Sequence, residues 1–295
     1  MGKTRIIISS NSGFCFGVRR ALDIAKKALK ERKKVYSLGP IIHKPQVVRE
    51  FQERGLKIVK GIKKAKKSQN AAFLIPSHGM SPELLNNKKV IFIDTTCPLV
   101  ERVQKVVKGL KEKGYFIVIV GDKKHPEVKG LKGTAGKNSR VVKNKKEAKT
   151  LKVPANKSQR VALISQTTAS VSNFKEILSE MAKKDFKELS DFNTVCRDTI
   201  AREKEARRIA GNVEAMIVIG GKQSANTSKL ASACRSVNKN TRHVESGKDL
   251  KKSFFKDKKS VGIATGASTP PCAINEAVKT INEAQTYGAL HLRSG

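Results

Sequence analysis

The sequence predicts an α/β protein built from several small, largely parallel sheets. Short apolar runs alternate with amphipathic stretches along the whole 295-residue chain. Each apolar run is followed by a loop rich in Gly, Ser, Thr, His or Pro and then by a helical pattern, and this strand-loop-helix order is typical of parallel sheets. With 38% hydrophobic residues the chain is too apolar for generic disorder, and its length suits two or three domains.

The buried strands are the most regular pattern. Each is a short, mostly apolar run that ends at turn-forming or polar residues. The predicted strands are residues 5–9, 35–38, 72–75, 90–93, 116–120, 161–164, 215–219 and 261–264. The helices have apolar residues at spacings of three and four, and Pro45 and Pro98 stand at or next to their first positions. The predicted helices are residues 18–31, 45–54, 99–113, 171–183, 202–210, 227–237 and 274–284.

The chain is strongly basic along its whole length. It has 61 Lys and Arg against 25 Asp and Glu, which gives a formal net charge of +36. Such a surface attracts polyanions and anionic substrates, so we expect only non-specific contact with nucleic acid. The lysine-rich stretch 57–67 is the best candidate for a nucleic-acid patch, and an exposed helix or loop face is the alternative.

No segment of the sequence predicts a membrane protein. The apolar runs are too short to span a bilayer, and the first residues lack the apolar core of a signal peptide. We therefore expect a cytoplasmic protein without a membrane span. In such a reducing compartment the five widely spaced cysteines do not predict a disulfide framework.

Three cysteines occupy equivalent places, just before or at the start of a helix. Cys15, Cys97 and Cys196 are separated by 82 and 99 residues, and 99 further residues complete the chain. This rhythm predicts three similar α/β units, each of which brings one cysteine to a common centre. The predicted domains are 16–97, 98–195 and 196–285, with the N-terminal strand 1–15 joining the third and 286–295 forming a tail. We interpret Cys234 and Cys272 as structural.

Three thiolates leave two kinds of metal site open. They would bind zinc with a fourth ligand, or an iron-sulfur cluster with one iron open to substrate. Structural zinc sites usually contain close cysteine pairs, which this chain lacks, and this favours a cluster between domains.

Three of the five histidines, His43, His78 and His125, follow predicted strands at helix entries. Ligands bind at this edge of parallel sheets, so together they predict an anion or proton-donor cluster. Loops 165–170, 220–228 and 266–270 follow other strands. Loop 220–228 opens a helix whose N–H groups suit phosphate oxygens, but it matches neither a Walker loop nor a dinucleotide fingerprint, and helix capping is the alternative.

Several of these motifs, in this order, resemble one known family. They include Gly13-Phe14-Cys15-Phe16-Gly17-Val18-Arg19-Arg20-Ala21, Asp94-Thr95-Thr96-Cys97-Pro98, His125-Pro126-Glu127 and the loop 220–228. Between Gly13 and about Ala284 the chain is similar to the 4-hydroxy-3-methylbut-2-enyl diphosphate reductases (IspH/LytB), oxidoreductases of the last step of non-mevalonate isoprenoid biosynthesis.

The resemblance implies three α/β domains around a central cavity and a 4Fe-4S cluster held by Cys15, Cys97 and Cys196. It also implies reduction of an allylic diphosphate, with loss of water, to isopentenyl and dimethylallyl diphosphates, and an electron donor such as ferredoxin or flavodoxin. Thr167 would lie near the substrate hydroxyl and Glu127 would deliver a proton. The implied diphosphate ligands are His43, His78, His125, Ser224, Asn226 and Ser268, and we assign Thr168 to the same substrate-binding set.

The chain departs from the expected motifs at two places. Ala225 stands where a second serine is expected, and Glu203 stands where the family pattern has glutamine after Arg202. The high lysine content is also not implied by the family. The alternative hypothesis is a basic, zinc-containing RNA- or DNA-binding protein. It explains the charge, but it assigns no function to the loops that carry the histidines or to the predicted phosphate-binding loops.

Overall fold

The computed structural model describes residues 4–32, 34–42, 44–62, 71–85, 90–153, 159–222, 224–255 and 257–291. The chain divides into two compact units. One is Gly17–Cys196, and the other combines Met1–Phe16 with Arg197–Gly295.

The described residues form twelve strands and ten α-helices. The strands are β1 Arg5–Ile8, β2 Val35–Leu38, β3 Lys57–Val59, β4 Ala72–Ile75, β5 Ile91–Asp94, β6 Phe116–Val120, β7 Ser139–Val142, β8 Arg160–Ser165, β9 Glu188–Phe192, β10 Ala215–Ile219, β11 Thr241–Val244 and β12 Ser260–Thr265. The helices are α1 Phe16–Glu31, α2 Pro45–Glu53, α3 Pro82–Leu85, α4 Pro98–Glu112, α5 Pro126–Ala135, α6 Lys145–Thr150, α7 Val171–Met181, α8 Arg197–Ala210, α9 Ala225–Arg235 and α10 Pro271–His291.

The strands form three four-stranded parallel sheets with one topology. Their orders are β3-β2-β4-β5, β7-β6-β8-β9 and β11-β10-β12-β1. We number the four strands of each sheet by their order along the chain, and in the third sheet we count β1 as the fourth strand after β10, β11 and β12. All three sheets then have the spatial order 2-1-3-4. In the third sheet the fourth strand is β1, which pairs with β12 from Arg5↔Ser260 to Ile8↔Ile263. The expectation of an α/β fold with three small parallel sheets is confirmed, whereas the domain boundaries after residues 97 and 195 stay a prediction.

Helices cover both faces of the sheets, which explains why their central strands are continuously apolar. All five residues of β6 are buried. On one face Ile117 and Ile119 pack in a cluster with Val107 and Leu131 of α4 and α5. On the other face Val118 packs in a cluster that includes Phe174 and Ile177 of α7. The rigid centre of each sheet thereby fixes the loops that leave its carboxyl ends.

The structure differs from the sequence-based prediction at several elements. The prediction missed β3, β7, β9 and β11, as well as α3, α5 and α6. Helix α8 begins at Arg197, five residues before the predicted start. Part of the proposed lysine patch is strand β3, and its residues 63–67 lie outside the described residues. In the described part of the chain, no helix combines the length and apolar character needed to cross a membrane. Cytoplasmic location stays a prediction.

Candidate active site

The candidate site residues follow the first and third strands of each sheet. In the order 2-1-3-4 these two strands are neighbours whose connections leave in opposite directions, which is where ligands bind in open α/β sheets. Five positions after the first strands β2, β6 and β10 stand His43, His125 and Ser224, and three positions after the third strands β4, β8 and β12 stand His78, Thr168 and Ser268. His43 lies outside the described residues.

Each candidate cysteine follows the fourth strand of its own sheet and is fixed by the same hydrogen bond. The Cys97 amide donates to the Ser77 carbonyl at 2.9 Å, the Cys196 amide to the Thr167 carbonyl at 2.8 Å, and the Cys15 amide to the Ala267 carbonyl at 2.9 Å. Every acceptor stands two positions after a third strand. The repeated topology thus gives the three cysteines equivalent backbone positions.

Cys97 is the N-terminal cap of α4, with extended backbone angles and Pro98 at the first helical position. Burial raises the pKa of its thiol, and repulsion from Cys196 and Glu127 adds to this. The backbone N–H groups of Leu99 and Val100, at the start of α4, lower the pKa of this thiol because they favour its thiolate form. Cys97 and Cys196 therefore lie close enough to interact electrostatically.

The Cys97 side chain also packs against a glycine of α1. A Cβ atom on Gly17 would lie 2.5 Å from the Cys97 Sγ and 3.0 Å from its Cβ. The loop before Cys97 is held by the same helix, since Arg20 Nη1 donates to the Thr96 carbonyl at 2.9 Å. The position of this sulfur thus depends on a residue without a side chain.

Glu127 and Thr167 form a buried hydrogen-bonded pair. The Thr167 amide donates to Glu127 Oε1 at 2.7 Å, and Thr167 Oγ1 donates to Oε2 at 2.8 Å. Glu127 is only 2% exposed and Thr167 only 5%. Because the Thr167 carbonyl accepts from the Cys196 amide, the structure joins Glu127, Thr167 and Cys196 in one network.

Glu127 is poised to exchange a proton near neutral pH. Burial raises the pKa of its carboxyl, and the two hydrogen bonds from Thr167 lower it. Burial is the larger effect, and the resulting pKa is about 7. Catalytic carboxyls are tuned in this way when they must hold a proton at neutral pH. The family resemblance implies a proton donor at Glu127, and burial raises the pKa of its carboxyl into the range that such a role needs. The role itself stays a prediction.

His125 is the N-terminal cap of α5, where its Nδ1 accepts from the Glu127 amide at 3.2 Å. An accepting Nδ1 carries no proton, so the neutral ring has its proton on Nε2. His125 is half-buried. In this orientation the distal nitrogen, Nε2, carries the N–H group of the neutral ring.

Gln166 connects the loops after β6 and β8, and it was not among the predicted site residues. Its Oε1 accepts from the Asp122 amide at 3.2 Å, and its Nε2 donates to Thr168 Oγ1 at 2.7 Å. Gly121 lies against the same side chain, because a Cβ there would be 2.8 Å from Gln166 Oε1. Gln166 thereby sets the direction of the Thr168 hydroxyl.

The loops after β4 and β2 are joined in a similar way. Ser77 Oγ donates to the Ile41 carbonyl at 3.0 Å. The neighbouring His78 is half-buried and belongs to the same loop. The contact between Ser77 and Ile41 thus holds the loop that carries His78 against the loop after β2.

The second compact unit, which contains β1, β10 and β12, has its own loop cluster. Ser224 caps α9 and accepts from the Thr227 amide at 3.3 Å. Thr227 is buried between the loops that follow β10 and β12, because Cβ atoms on Gly220 and Gly266 would both collide with it. Asn226 and Ser268 are half-buried in these two loops. Backbone amides and hydroxyls at this helix start suit an anion.

The model of the LytB protein family matches residues 6–282, nearly the whole chain. The chain belongs to the LytB family.

Two relatives and one solved structure agree with this assignment to the LytB family. A 4-hydroxy-3-methylbut-2-enyl diphosphate reductase from Geobacter metallireducens is 39% identical over 94% of this chain and 97% of the relative. One from Caldanaerobacter subterraneus subsp. tengcongensis is 40% identical over 94% and 96%. A solved structure of (E)-4-hydroxy-3-methyl-but-2-enyl diphosphate reductase, described as the terminal enzyme of the non-mevalonate pathway, shares 38% identity, has a TM-score of 0.72, and is matched over 95% of this chain and 99% of that one.

A solved E-1-hydroxy-2-methyl-but-2-enyl-4-diphosphate reductase from Plasmodium falciparum is 24% identical, with a TM-score of 0.85 over 94% of this chain and 88% of that one, and it supports the fold alone. These matches confirm the expected family, the α/β fold class and the expectation of an oxidoreductase.

The donor chemistry of the LytB-family chain fits a thiolate-bound metal group. Cys97 and Cys196 interact within one unit, and thiolates are the ligands that iron-sulfur clusters take. Cys234 is fully buried in the core, where burial raises the pKa of its thiol to about 11, and Cys272 is exposed at the start of α10. Among the described residues, no three His, Cys, Asp or Glu side chains gather closely enough to hold a metal ion. The meeting of all three cysteines stays a proposal.

Proposed function

We propose that this LytB-family chain reduces 4-hydroxy-3-methylbut-2-enyl diphosphate to isopentenyl and dimethylallyl diphosphates. The allylic C–O bond is cleaved, two electrons and two protons enter, and the oxygen leaves as water. The observation that carries the proposal is the buried Glu127–Thr167 pair, which is hydrogen-bonded to the backbone of Cys196. A protonatable carboxyl and a hydroxyl next to the backbone of Cys196 support a proton relay beside a metal ligand.

The residues that would hold the 4Fe-4S cluster are Cys15, Cys97 and Cys196. When bound, such a cluster supplies electrons one at a time, which amino-acid side chains do not do. The proposal is supported by the equivalent backbone positions of the three cysteines after the fourth strands of their sheets. A bound cation would also offset the burial that raises the pKa of Cys97, because metal ions stabilise thiolates.

Glu127 and Thr167 would deliver a proton to the departing hydroxyl. With a pKa of about 7 the Glu127 carboxyl is partly protonated at neutral pH. Thr167 Oγ1, at 2.8 Å from Oε2, would accept that proton while it passes its own to the substrate oxygen. The burial of the pair excludes bulk water and keeps the transfer directed at one oxygen.

The diphosphate would be bound by the loops after the first and third strands. The proposed ligands are His43, His78, His125, Thr168, Ser224, Asn226 and Ser268. His125 would donate through Nε2, since its Nδ1 already accepts from the backbone. Ser224 Oγ accepts from Thr227, so its hydroxyl proton is available for a phosphate oxygen. The formal charge of +36 favours an anionic substrate and an acidic electron donor such as ferredoxin or flavodoxin.

The test is turnover of Glu127→Gln under anaerobic conditions with a chemical reductant. Glutamine keeps the size and the acceptor oxygen but does not give up a proton, so turnover should fall roughly 100-fold or more. Substrate binding should change far less, because the proton is needed chiefly in the transition state. The matched control is Glu176→Gln, an exposed acid of α7, which should keep wild-type turnover.

Near-wild-type turnover of Glu127→Gln would remove Glu127 from proton delivery. The colour of the purified protein provides an independent check of the whole proposal. A brown, iron-containing protein agrees with a reductase, whereas a colourless, zinc-loaded protein that binds nucleic acid would favour the alternative.

A further inference from the structure

The loop that leads to Cys15 is the longest of the three cysteine loops. Cys97 stands three positions after β5 and Cys196 four positions after β9, but Cys15 stands seven positions after β1. A longer loop has more conformations to lose when it orders. More contacts are therefore needed to hold the Cys15 loop in one conformation than to hold the loops before Cys97 and Cys196.

A single carboxylate from another element binds the first half of this loop. Ser9 Oγ donates to Glu205 Oε2 at 2.6 Å, and both the amide and the hydroxyl of Ser10 donate to Oε1, at 3.0 and 2.9 Å. The amide and the side-chain Nδ2 of Asn11 donate to Oε2 at 3.2 and 2.7 Å. Three consecutive residues thus give five hydrogen bonds to the Glu205 carboxylate of α8.

The second half of the loop is fixed by β12 and the residues that follow it. The Gly13 amide donates to Thr265 Oγ1 at 2.7 Å, with a φ of +87° that favours glycine, and the Cys15 amide donates to the Ala267 carbonyl. In the first half, the Ser9 amide also donates to the Ile263 carbonyl of β12 at 2.8 Å and the Ser12 amide to the Ser9 carbonyl at 3.0 Å. Without Glu205 these backbone contacts would remain, but the five hydrogen bonds of residues 9–11 to the carboxylate would be lost. The carboxylate therefore determines how firmly the first half of the loop is held.

Glu205 is suited to a permanent role of this kind. Burial alone would raise the pKa of its carboxyl, but the hydrogen bonds from Ser9, Ser10 and Asn11 lower it to about 2. The group stays ionised over the whole physiological range, and hydrogen bonds to a charged acceptor are the stronger ones.

We propose that Glu205 is the positioning residue of Cys15, whose carboxylate preorganises the loop 9–15 before any metal is bound. This rests on the proposed role of Cys15 as a cluster ligand. Cluster binding would otherwise have to order the loop as well. No sequence pattern indicates this contact, because Glu205 and Ser9 are 196 positions apart.

The test measures the reactivity of Cys15 in the full-length, metal-free protein. Iodoacetamide alkylation of each cysteine is followed by peptide mass spectrometry in wild type, Glu205→Gln and Glu205→Ala. We expect the rate at Cys15 to rise about tenfold or more in Glu205→Ala and less in Glu205→Gln, which keeps one acceptor oxygen. The rates at Cys97 and Cys196 should stay within about twofold. Glu203→Gln removes the same charge from the same helix and is the matched control.

A second variant tests the other side of the contact without changing Glu205. The double variant Ser9→Ala and Asn11→Ala removes two of the five donors and should raise the Cys15 rate in the same direction, with no further effect when Glu205 is already alanine. An unchanged Cys15 rate, or an equal rise at all three cysteines, would overturn the proposal. Iron content of Cys15→Ser tests the ligand role separately, because wild-type iron content there would refute the ligand set but not the loop contact.

Discussion

Replacement of Gly17 by alanine should displace the Cys97 sulfur. The new Cβ would lie 2.5 Å from Sγ, so the sulfur has to move by about 1 Å to reach an ordinary contact distance of 3.4 Å or more. Rotation of the cysteine side chain would relieve this contact, but it would take the sulfur away from the N–H groups of Leu99 and Val100. The Cys97 Cβ, at 3.0 Å, is also too close and does not move with that rotation.

The expected magnitude follows from comparison with a second helical glycine. Alanine in place of glycine stabilises a helix by about 1 kcal/mol, and overpacking of a core site costs about 1–3 kcal/mol. At Gly109 of α4 a new Cβ meets nothing within 4 Å, so Gly109→Ala should show the helical gain alone. Both variants gain the same helix propensity, so the difference between their free energies of unfolding reports the overpacking alone. Gly17→Ala should therefore be less stable than Gly109→Ala by about 1–3 kcal/mol.

The assay has two parts. Urea unfolding of the metal-free variants gives the difference in the free energy of unfolding, and iron content after anaerobic reconstitution reports whether the displaced thiol still binds. We expect Gly109→Ala to bind iron as the wild type does and Gly17→Ala to lose most of it. Equal stability and equal iron content of the two variants would show that Gly17 does not determine the position of Cys97.

Three further outcomes are expected. Serine at Cys15, Cys97 or Cys196 should abolish iron binding while serine at the exposed Cys272 retains it, and normal iron content in any of the first three would remove that residue from the ligand set. The raised pKa of Glu127 means that its stabilising contribution is complete below about pH 4.5 and is lost as the pH rises through about 7. The free energy of unfolding of the metal-free wild type, relative to Glu127→Gln, should thus fall by about 3 kcal/mol between about pH 4 and pH 8, and a flat difference in urea titrations would contradict the burial argument. Alanine at Ser224 should weaken substrate binding by about 1.5–3 kcal/mol without loss of iron, as measured by calorimetry, and an unchanged dissociation constant would exclude the phosphate role.

The elements that sequence patterns predicted are mostly those at the centres of the sheets. Central strands such as β6 and β10 are buried on both faces and therefore read as continuous apolar runs. The four missed strands, β3, β7, β9 and β11, are all edge strands. Strand β9, with the sequence Glu-Leu-Ser-Asp-Phe, shows why: in the part of the chain that the structure describes it pairs only with β8, so polar residues are tolerated along it.

The candidate site residues were predictable because they follow strands in a repeated pattern. His125 and Cys97 are recognisable from their place at a strand exit and a helix start. Gln166 and Glu205 were missed, because each acts through a contact between residues far apart in the chain, 44 positions for Gln166 and Asp122. The early start of α8 was also missed, since Arg197 and the polar residues after it show no apolar periodicity.

The completion of the third sheet by β1 has a consequence for the order of folding. Strand β1 is the first to leave the ribosome, but its partner β12 begins at Ser260, about 255 residues later. All strands of the sheets made from residues 35–94 and 116–192 have been synthesised by then, whereas β1 cannot pair until β12 has been made. Cys15 is thus the first of the three candidate ligands to be synthesised, but it reaches its backbone position only after β12 and Ala267 have been made, so loading of a metal group would have to follow synthesis of β12.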